Sequence, residues 1–195
     1  MKLIVLCGGR GERLGPLTAD KPKPLCAVGK RTILSIALEN YQEYEHIFSG
    51  GYKGLDLAHH ICVNYQGSEC YIEEEKLGTG GAVLEIASGI EDDYFAVMNG
   101  DTVSKFNLKM AKFTVRKNLA VVFTGLSVLD GKRANAGVYL FHRDFLRYIP
   151  DSPYHLEDAI AACAKDGLVQ YVNSNSQFLD LGTPEGIERY NLVNS

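Results

Sequence analysis

Three groups of residues in this 195-residue chain have the types and spacing to handle phosphate. The first is Gly8-Gly9-Arg10-Gly11-Glu12-Arg13-Leu14. Glycines there let backbone N–H groups approach a polyphosphate, and Arg13 offers a planar fork for its outer oxygens. A plain turn would use the same glycines. Two phosphate fingerprints fail nearby: the third glycine of the dinucleotide motif falls on Leu14, and the P-loop's first glycine falls on Pro24 while Arg31 interrupts Gly29-Lys30-Arg31-Thr32. The second group is Asp20-Lys21-Pro22-Lys23-Pro24-Leu25, whose prolines predict a stiff, extended segment that presents Lys23 with little ordering cost. A preset lysine suits charge stabilisation on a phosphorus undergoing substitution, although a solvated basic loop reads the same way. The third is the pair Asp101 and Asp180. Asp101 ends Asn99-Gly100-Asp101, and Asp180 sits inside the apolar Phe178-Leu179-Asp180-Leu181, where an unpaired carboxylate is expensive. Two acids converging at strand ends need a cation, and oxygen ligands beside phosphate favour Mg²⁺. Taken singly, each acid could as well cap a turn or a helix.

The elements that must position these groups follow from apolar periodicity. Lys2–Cys7 is a continuous apolar run ending in Gly8-Gly9, the pattern of a buried parallel strand meeting a loop that continues to Pro24. Ile33, Ile36, Ala37 and Tyr41 fall on one face of a helix over Thr32–Tyr44. Strands are expected at His46–Gly50, Cys70–Glu74, Tyr94–Met98, Ala120–Leu129 and Gly137–Phe141, with two late strands at Val169–Val172 and Gln177–Leu181. Helices are expected at Gly54–Asn64, Gly80–Ser88, Leu108–Lys117, Asp144–Ile149 and Leu156–Asp166, and Thr183-Pro184-Glu185 opens a last one with a hydroxyl cap, a first-turn proline and an acid. Alternation over the whole length predicts an α/β fold with a mixed, mostly parallel sheet flanked by helices, one domain spanning 1–195. The glycine loop follows the first parallel strand, where α/β ligands collect.

Bulk properties exclude several classes. Hydrophobic residues make up 46%, enough for one sizeable core, and net charge is -4, without the basic balance of a nucleic-acid binder. An anionic ligand must then be held by a few placed cations, loop amides and metal. No stretch approaches the roughly 18 apolar residues of a membrane span, and the run Leu3–Cys7 is too short for a signal segment. Five cysteines, an odd number without a C-x-x-C pair, point to reduced, mostly buried thiols and a cytoplasmic setting. The five histidines show no H-x-x-x-H spacing and there is no G-x-S-x-G, so zinc and hydrolase readings gain nothing.

Six segments in order, Gly8–Leu14, Lys21–Leu25, Glu73–Ala82, Asn99–Asp101, Asn135–Tyr139 and Phe178–Glu185, make the chain resemble the sugar-1-phosphate nucleotidyltransferase (NDP-sugar pyrophosphorylase) superfamily from Leu3 to about Asn191. Leu77-Gly-Thr-Gly-Gly-Ala82 and Asp180-Leu-Gly-Thr-Pro-Glu185 are most similar to heptose-1-phosphate and mannose-1-phosphate guanylyltransferase-like proteins. The resemblance implies a Rossmann-like nucleotidyl transferase fold. It implies transfer of a nucleotidyl group from an NTP, GTP by this likeness, to a sugar 1-phosphate such as D-glycero-D-manno-heptose 1-phosphate or a hexose 1-phosphate. Pyrophosphate would be released and the NDP-sugar would feed surface polysaccharide synthesis. Leu6, Gly8, Gly9, Gly11 and Arg13 would hold the nucleotide, with Glu73, Gly78 and Thr79 around its base. Arg13, Lys23 and Asp101 would be catalytic, and Asp101 and Asp180 would hold Mg²⁺. Lys23, Asn135 and Glu157 would face the sugar phosphate. No nucleic-acid or membrane partner is implied, and the expected state is a monomer or homodimer. Nothing follows the last helix, so the carboxyl-terminal β-helix of some relatives is expected to be absent.

One departure is clear. Relatives carry a longer connection before Asn-Ala-Gly with a Glu-Lys pair that grips the sugar phosphate, whereas Ser127–Ala134 here offers only Lys132 and Arg133. Following the turn signal Asp130-Gly131, Lys132 or Arg133 could aim into the cleft, and a solvated basic turn is the alternative. A binding-only relative, and a nucleotidyltransferase acting on a non-sugar phosphate, are the rival functions. Glu73 favours guanine, whose N1–H and N2–H a carboxylate can accept together.

Overall fold

The structure, a computed structural model, describes residues 1–111, 118–150 and 153–194, the side chain of Met110 excepted. β1 (Lys2–Leu6) lies between β4 (Glu45–Gly50) and β6 (Tyr94–Asn99), parallel to both, with Leu6 opposite Ser49 and Asn99. β5 (Glu69–Ile72) is the edge strand beyond β4, and β9 (Arg133–His142) runs antiparallel to β6 on the other side. β8 (Ala120–Ser127), β10 (Val169–Asp180) and the short β7 (Thr102–Val103) complete the order β5-β4-β1-β6-β9-β8-β10-β7. The expected mixed, mostly parallel sheet is therefore present. Its topology reverses beside β1: the chain first builds outward through β4 and β5, then crosses back to place β6 on the opposite side. Crevices outside the carboxyl ends of strands at such a reversal are where α/β folds bind ligands.

β1 is buried on both faces, so Leu3 and Val5 belong to one core and Ile4 to another. The first core packs Phe48 and Met98 under Leu57 and Ile61 of α2 (Gly54–Asn64) and Leu34 of α1 (Ile33–Ala37). The second packs Val97 and Phe141 under Val83 and Ile86 of α3 (Gly78–Ser88) and Ile160 of α5 (Leu156–Lys165). A third, smaller core joins Leu14, Cys26, Val28 and Ile33 to Leu179 and Leu181, with Ile187 of α6 (Pro184–Asn194) against it. That third core fastens the long loop after β1 to the far end of the sheet.

Several elements differ from the sequence expectation. The helix over Thr32–Tyr44 is one short turn of α1, capped by a reciprocal Thr32–Ser35 box, followed by turns through Tyr44. A two-residue hairpin, β2 (Ala27–Val28) with β3 (Arg31–Thr32), turns at Gly29 with φ 61° and precedes it. The helix expected at Leu108–Lys117 is described as α4 (Leu108–Ala111), and its remainder lies outside the described residues. Arg143–Tyr148 is 3-10 rather than α-helical. The two late strands are one strand, β10, with a register break between Asn173 and Gln177. Between them Ser176 N–H donates to Ser174 Oγ at 3.0 Å, a local bond at the break in register, and the strand continues through it. All five cysteines are free, and among the described residues no helix is long and apolar enough to cross a membrane.

α6 is seated directly on the end of β10. A Cβ on Gly186 would run into the carbonyl oxygen of Asp180, so only glycine lets the helix start there. Gly186→Ala is expected to push α6 away and cost about 1–3 kcal/mol, a fall in Tm of roughly 2–12 °C for a chain of this size. Glu188→Ala, on the exposed face, should leave Tm in place. Thermal unfolding followed by circular dichroism decides it, and an unchanged Tm for Gly186→Ala would show that this contact does not hold the helix.

Candidate active site

The carboxyl ends of β1, β4 and β6 open into a cavity of about 340 Å³, floored by the start of α3 and walled by the start of α5. Of the residues singled out from sequence, Leu6, Gly8, Gly9, Arg13, Lys23, Glu73, Gly78, Thr79, Asp101 and Glu157 line it together. Close backbone approach makes the crevice possible. A Cβ on Gly51 would lie 2.8 Å from the Gly8 carbonyl oxygen, and one on Gly100 would lie 2.7 Å from Cys7 Sγ. Gly100 N–H donates to the Leu6 carbonyl at 3.0 Å, which fixes Asp101 over the end of β1. Gly9, by contrast, faces open space, as a loop approached by a ligand should.

Asp101 is buried, and its Oδ2 is ion-paired with Lys23 Nζ. Asp180 Oδ2 accepts from Arg13 Nη2 at 3.3 Å. The sheet brings the two acids together: β10 pairs antiparallel with β7, setting Asp180 opposite Thr102, and Leu181 N–H donates to the Asp101 carbonyl at 2.9 Å. Gly182 lies between them. A Cβ there would be 2.6 Å from Asp101 Oδ2, 2.8 Å from Asp180 Oδ1 and 3.2 Å from Arg13 Nη2. The missing side chain leaves a cradle into which both carboxylates point.

Lys23 reaches this cradle by a different route from the one its prolines suggest. Pro22 is extended, with ψ 141°, but Lys23–Leu25 is a single 3-10 turn closed by Leu25 N–H to the Pro22 carbonyl at 2.9 Å. The lysine stem is laid against Gly11, whose φ of 70° and missing side chain make room: a Cβ would sit 2.9 Å from Lys23 Cβ. Gly11 is therefore behind the cavity, as the support of Lys23, and is not part of its lining. Beneath Asp101, the Cys7 thiol is pushed up by burial and then by the Asp101 charge, so it stays a neutral filler.

On the β4 side, Glu73 accepts from Ser49 Oγ at 3.2 Å and from Leu77 N–H at 3.4 Å, and its Oε1 would be 2.8 Å from a Cβ on Gly8. On the β9 side, Asn135 donates to the Tyr139 hydroxyl at 2.9 Å and accepts from Gly137 N–H at 2.9 Å. Tyr139 is buried, its phenol pushed up to about 12 by burial and then by the charge of Glu157, and of the two only Glu157 lines the cavity. Asn135 itself is not in the lining.

Lys132 and Arg133 are not brought to the cavity. Lys132 is 82% exposed, its ammonium 3.8 Å from Asp130. Arg133 donates to the Ser174 carbonyl at 2.5 Å and to Asn175 Oδ1 at 3.3 Å, so it fills the register break of β10. The turn at Asp130-Gly131 exists, but it aims these cations along the sheet. Ser49, Lys76, Ala82, Asn99 and His155 line the cavity without having been singled out from sequence. Asn99 carried a signal in the tripeptide with Asp101, and Lys76 in its acidic run. Ser49 is reached only through the pairing of β4 with β1, and nothing in the spacing of His155 marks it.

Comparison with known proteins places the chain in a family. A family model described as Nucleotidyl transferase matches residues 2–130. The chain is 27% identical over 215 residues to the bifunctional protein GlmU of Methanococcus maripaludis, covering 94% of this chain but 52% of the relative, so it spans about half the length of that protein. It is 25% identical over 223 residues to the D-glycero-alpha-D-manno-heptose 1-phosphate guanylyltransferase of Campylobacter jejuni, covering 100% of both. The crystal structure of HddC from Yersinia pseudotuberculosis complexed with GMP-PN superposes with a TM-score of 0.82 at 21% identity, over 100% of this chain and 99% of that one, and shows the same fold. With the family model, the six motifs and the placement of the glycine loop in agreement, the chain belongs to the nucleotidyl transferase family.

Proposed function

We propose that this protein transfers a nucleotidyl group from an NTP to a sugar 1-phosphate, releasing pyrophosphate. The observation that carries this reading is the crossed pair of ion pairs, Lys23–Asp101 and Arg13–Asp180, meeting at Gly182 beside an open glycine loop. An oxygen of the sugar phosphate attacks the α-phosphorus, the bond from that phosphorus to the β-phosphate bridge breaks, and the bridge oxygen leaves with pyrophosphate. A phosphate monoester whose second pKa is about 6 is largely dianionic at neutral pH, so its oxygen needs no general base. The work left to the protein is alignment and neutralisation of charge. Gly8 and Gly9 leave the loop backbone open to the triphosphate, and Arg13 and Lys23 supply positive charge at its reacting end. Glu157, which lines the cavity, would face the sugar, while Asn135 lies outside the lining, bonded to Tyr139.

Asp101 and Asp180 fit a magnesium ion. Both carboxylates point into one cradle, and a pair of carboxylate oxygens suits an ion that takes one or two carboxylates and completes its shell with water and phosphate. When bound, Mg²⁺ neutralises phosphate charge. Arg13 and Lys23, which balance the two acids in this structure, are then free to turn to phosphate oxygens.

For the base, the reading is guanine, supported by Glu73 and by the guanylyltransferase likeness. Its two present contacts are long, and an ionised carboxylate has about four lone-pair sites, so acceptors remain for N1–H and N2–H. The sugar is a heptose or hexose 1-phosphate.

Asp180→Asn is expected to lower turnover about a hundredfold or more with little change in Tm, because Arg13 beside it stays in solvent. Asp101→Asn should lose as much and also lose stability, because Lys23 is then left unpartnered in a mostly buried place. Near-parental turnover for either variant at saturating Mg²⁺ rules out the metal assignment. Calorimetric titration with GTP, UTP, dTTP, CTP and ATP tests the base, and ATP binding as well as GTP sinks the guanine reading. Tight nucleotide binding without pyrophosphate release from the NTP in the presence of any sugar phosphate identifies a binding-only protein.

The basic turn generates a separate expectation. Lys132→Ala should leave KM for the sugar phosphate unchanged. Arg133→Ala should instead lower stability by about 1 kcal/mol, a Tm shift of roughly 2–4 °C, as the β10 break loses its filling. A raised KM with unaltered Tm in either variant would return that cation to the sugar subsite.

A further inference from the structure

Thr79 lines the nucleotide side of the cavity, yet its hydroxyl is directed elsewhere. Thr79 Oγ1 accepts from the backbone N–H of Leu156 at 2.9 Å. Leu156 is the first residue of α5, and the residue before it, His155, is extended with φ -93° and ψ 137° and makes no side-chain cap bond. The first N–H groups of a helix have no partner within it, and one of them is here satisfied from a different helix. The surrounding backbone is built for this. Tyr154 N–H donates to the Leu77 carbonyl at 2.9 Å, and Gly80 N–H donates to the Tyr154 carbonyl at 2.9 Å. Gly78 has a φ of 73°, and a Cβ on it would be 2.5 Å from the Tyr154 oxygen; one on Gly80 would be 3.1 Å away. The glycines of Leu77-Gly-Thr-Gly-Gly-Ala82 thus clear a path for residues 154–156 as well as for a base. The residue that follows the latched N–H is Glu157, which reaches the cavity on the sugar side.

We propose that Thr79 is a positioning residue for the sugar subsite: its hydroxyl latches the first turn of α5 to α3 and so sets Glu157, although the residue itself sits among the nucleotide contacts. This rests on the function proposed above. It makes the two subsites share one backbone seam.

The test compares Thr79→Val, which keeps the shape and loses the acceptor, with Thr79→Ser, which keeps the acceptor. GDP and GDP-mannose are titrated into each by calorimetry, and hydrogen exchange is followed over residues 154–160. Thr79→Val should weaken GDP-mannose about tenfold more than it weakens GDP, the loss of roughly one neutral hydrogen bond's positioning. Exchange at the start of α5 should quicken, and Thr79→Ser should match the parent in both. Added to Glu157→Ala, Thr79→Val should cost little more in GDP-mannose binding, since a residue acting through another is not additive with it. Equal weakening of GDP and GDP-mannose would assign the hydroxyl to the nucleotide, and unchanged exchange in Thr79→Val would show that no latch exists. If the parent binds neither ligand, the guanosine reading of the function fails, and the exchange comparison still decides the latch.

Discussion

Two carboxylates aimed into the space of one missing side chain repel each other unless cations stand among them. The Asp101–Gly182–Asp180 cradle is held in that condition by Lys23 and Arg13, and most of the unusual local structure exists to deliver those four side chains. The carboxylates arrive on the sheet: Asp101 after β6, and Asp180 on a strand that runs parallel to β8, breaks register, and ends antiparallel to β7. The cations arrive on a loop with little regular structure, which would be a poor platform without a core of its own. Leu14 and Cys26 supply it by packing on Leu179 and Leu181, the residues that flank Asp180. Loop and strand therefore place opposite charges from the same small apolar cluster, so burial there also sets the geometry of the ion pairs.

The glycines divide into those that make room for protein and those that leave room for a ligand. Gly8 and Gly51 let two strand ends meet, Gly11 gives the lysine stem a surface, and Gly186 lets a helix begin against a carbonyl. At Gly9 nothing fills the space. A glycine motif read as phosphate binding is thus mostly a record of close backbone approach, and only the residual open positions are free to take up anion.

That division explains what was legible in the sequence. β1, β4, β6 and α2 were readable because apolar runs and 3.6-residue spacing are local signals, whereas the reversal of strand order beside β1 depends on which strands pair in the folded chain. Asp180 stood out because a charge inside Phe178-Leu179-Asp180-Leu181 demands a long-range reason. The route of Lys23 was not readable: two prolines describe a stiff segment, but whether it runs straight or closes a turn depends on Gly11 packing against it. That β10 is one irregular strand was not readable, because the arginine that bridges its register break lies 41 residues away in the chain. For the same reason Arg133 resembled a ligand-facing cation. Its partner is a carbonyl whose place depends on tertiary structure. Ser49 entered the lining through strand pairing alone.

On the proposed function, a chain with a net charge of -4 could not draw in a polyphosphate by its long-range field. The attraction has to be short-range, and the structure concentrates it. Lys23 is held mostly out of water by its pairing with Asp101, where a charge interaction is worth more than on the surface. Lys76 joins the lining at the opposite side, and Arg13 keeps a guanidinium largely in solvent at the mouth. With each acid paired to a cation, the cleft would spare a phosphate the repulsion that two bare aspartates would impose. On the proposed function, the two cations that balance Asp101 and Asp180 would also be the ones to meet the ligand's phosphates.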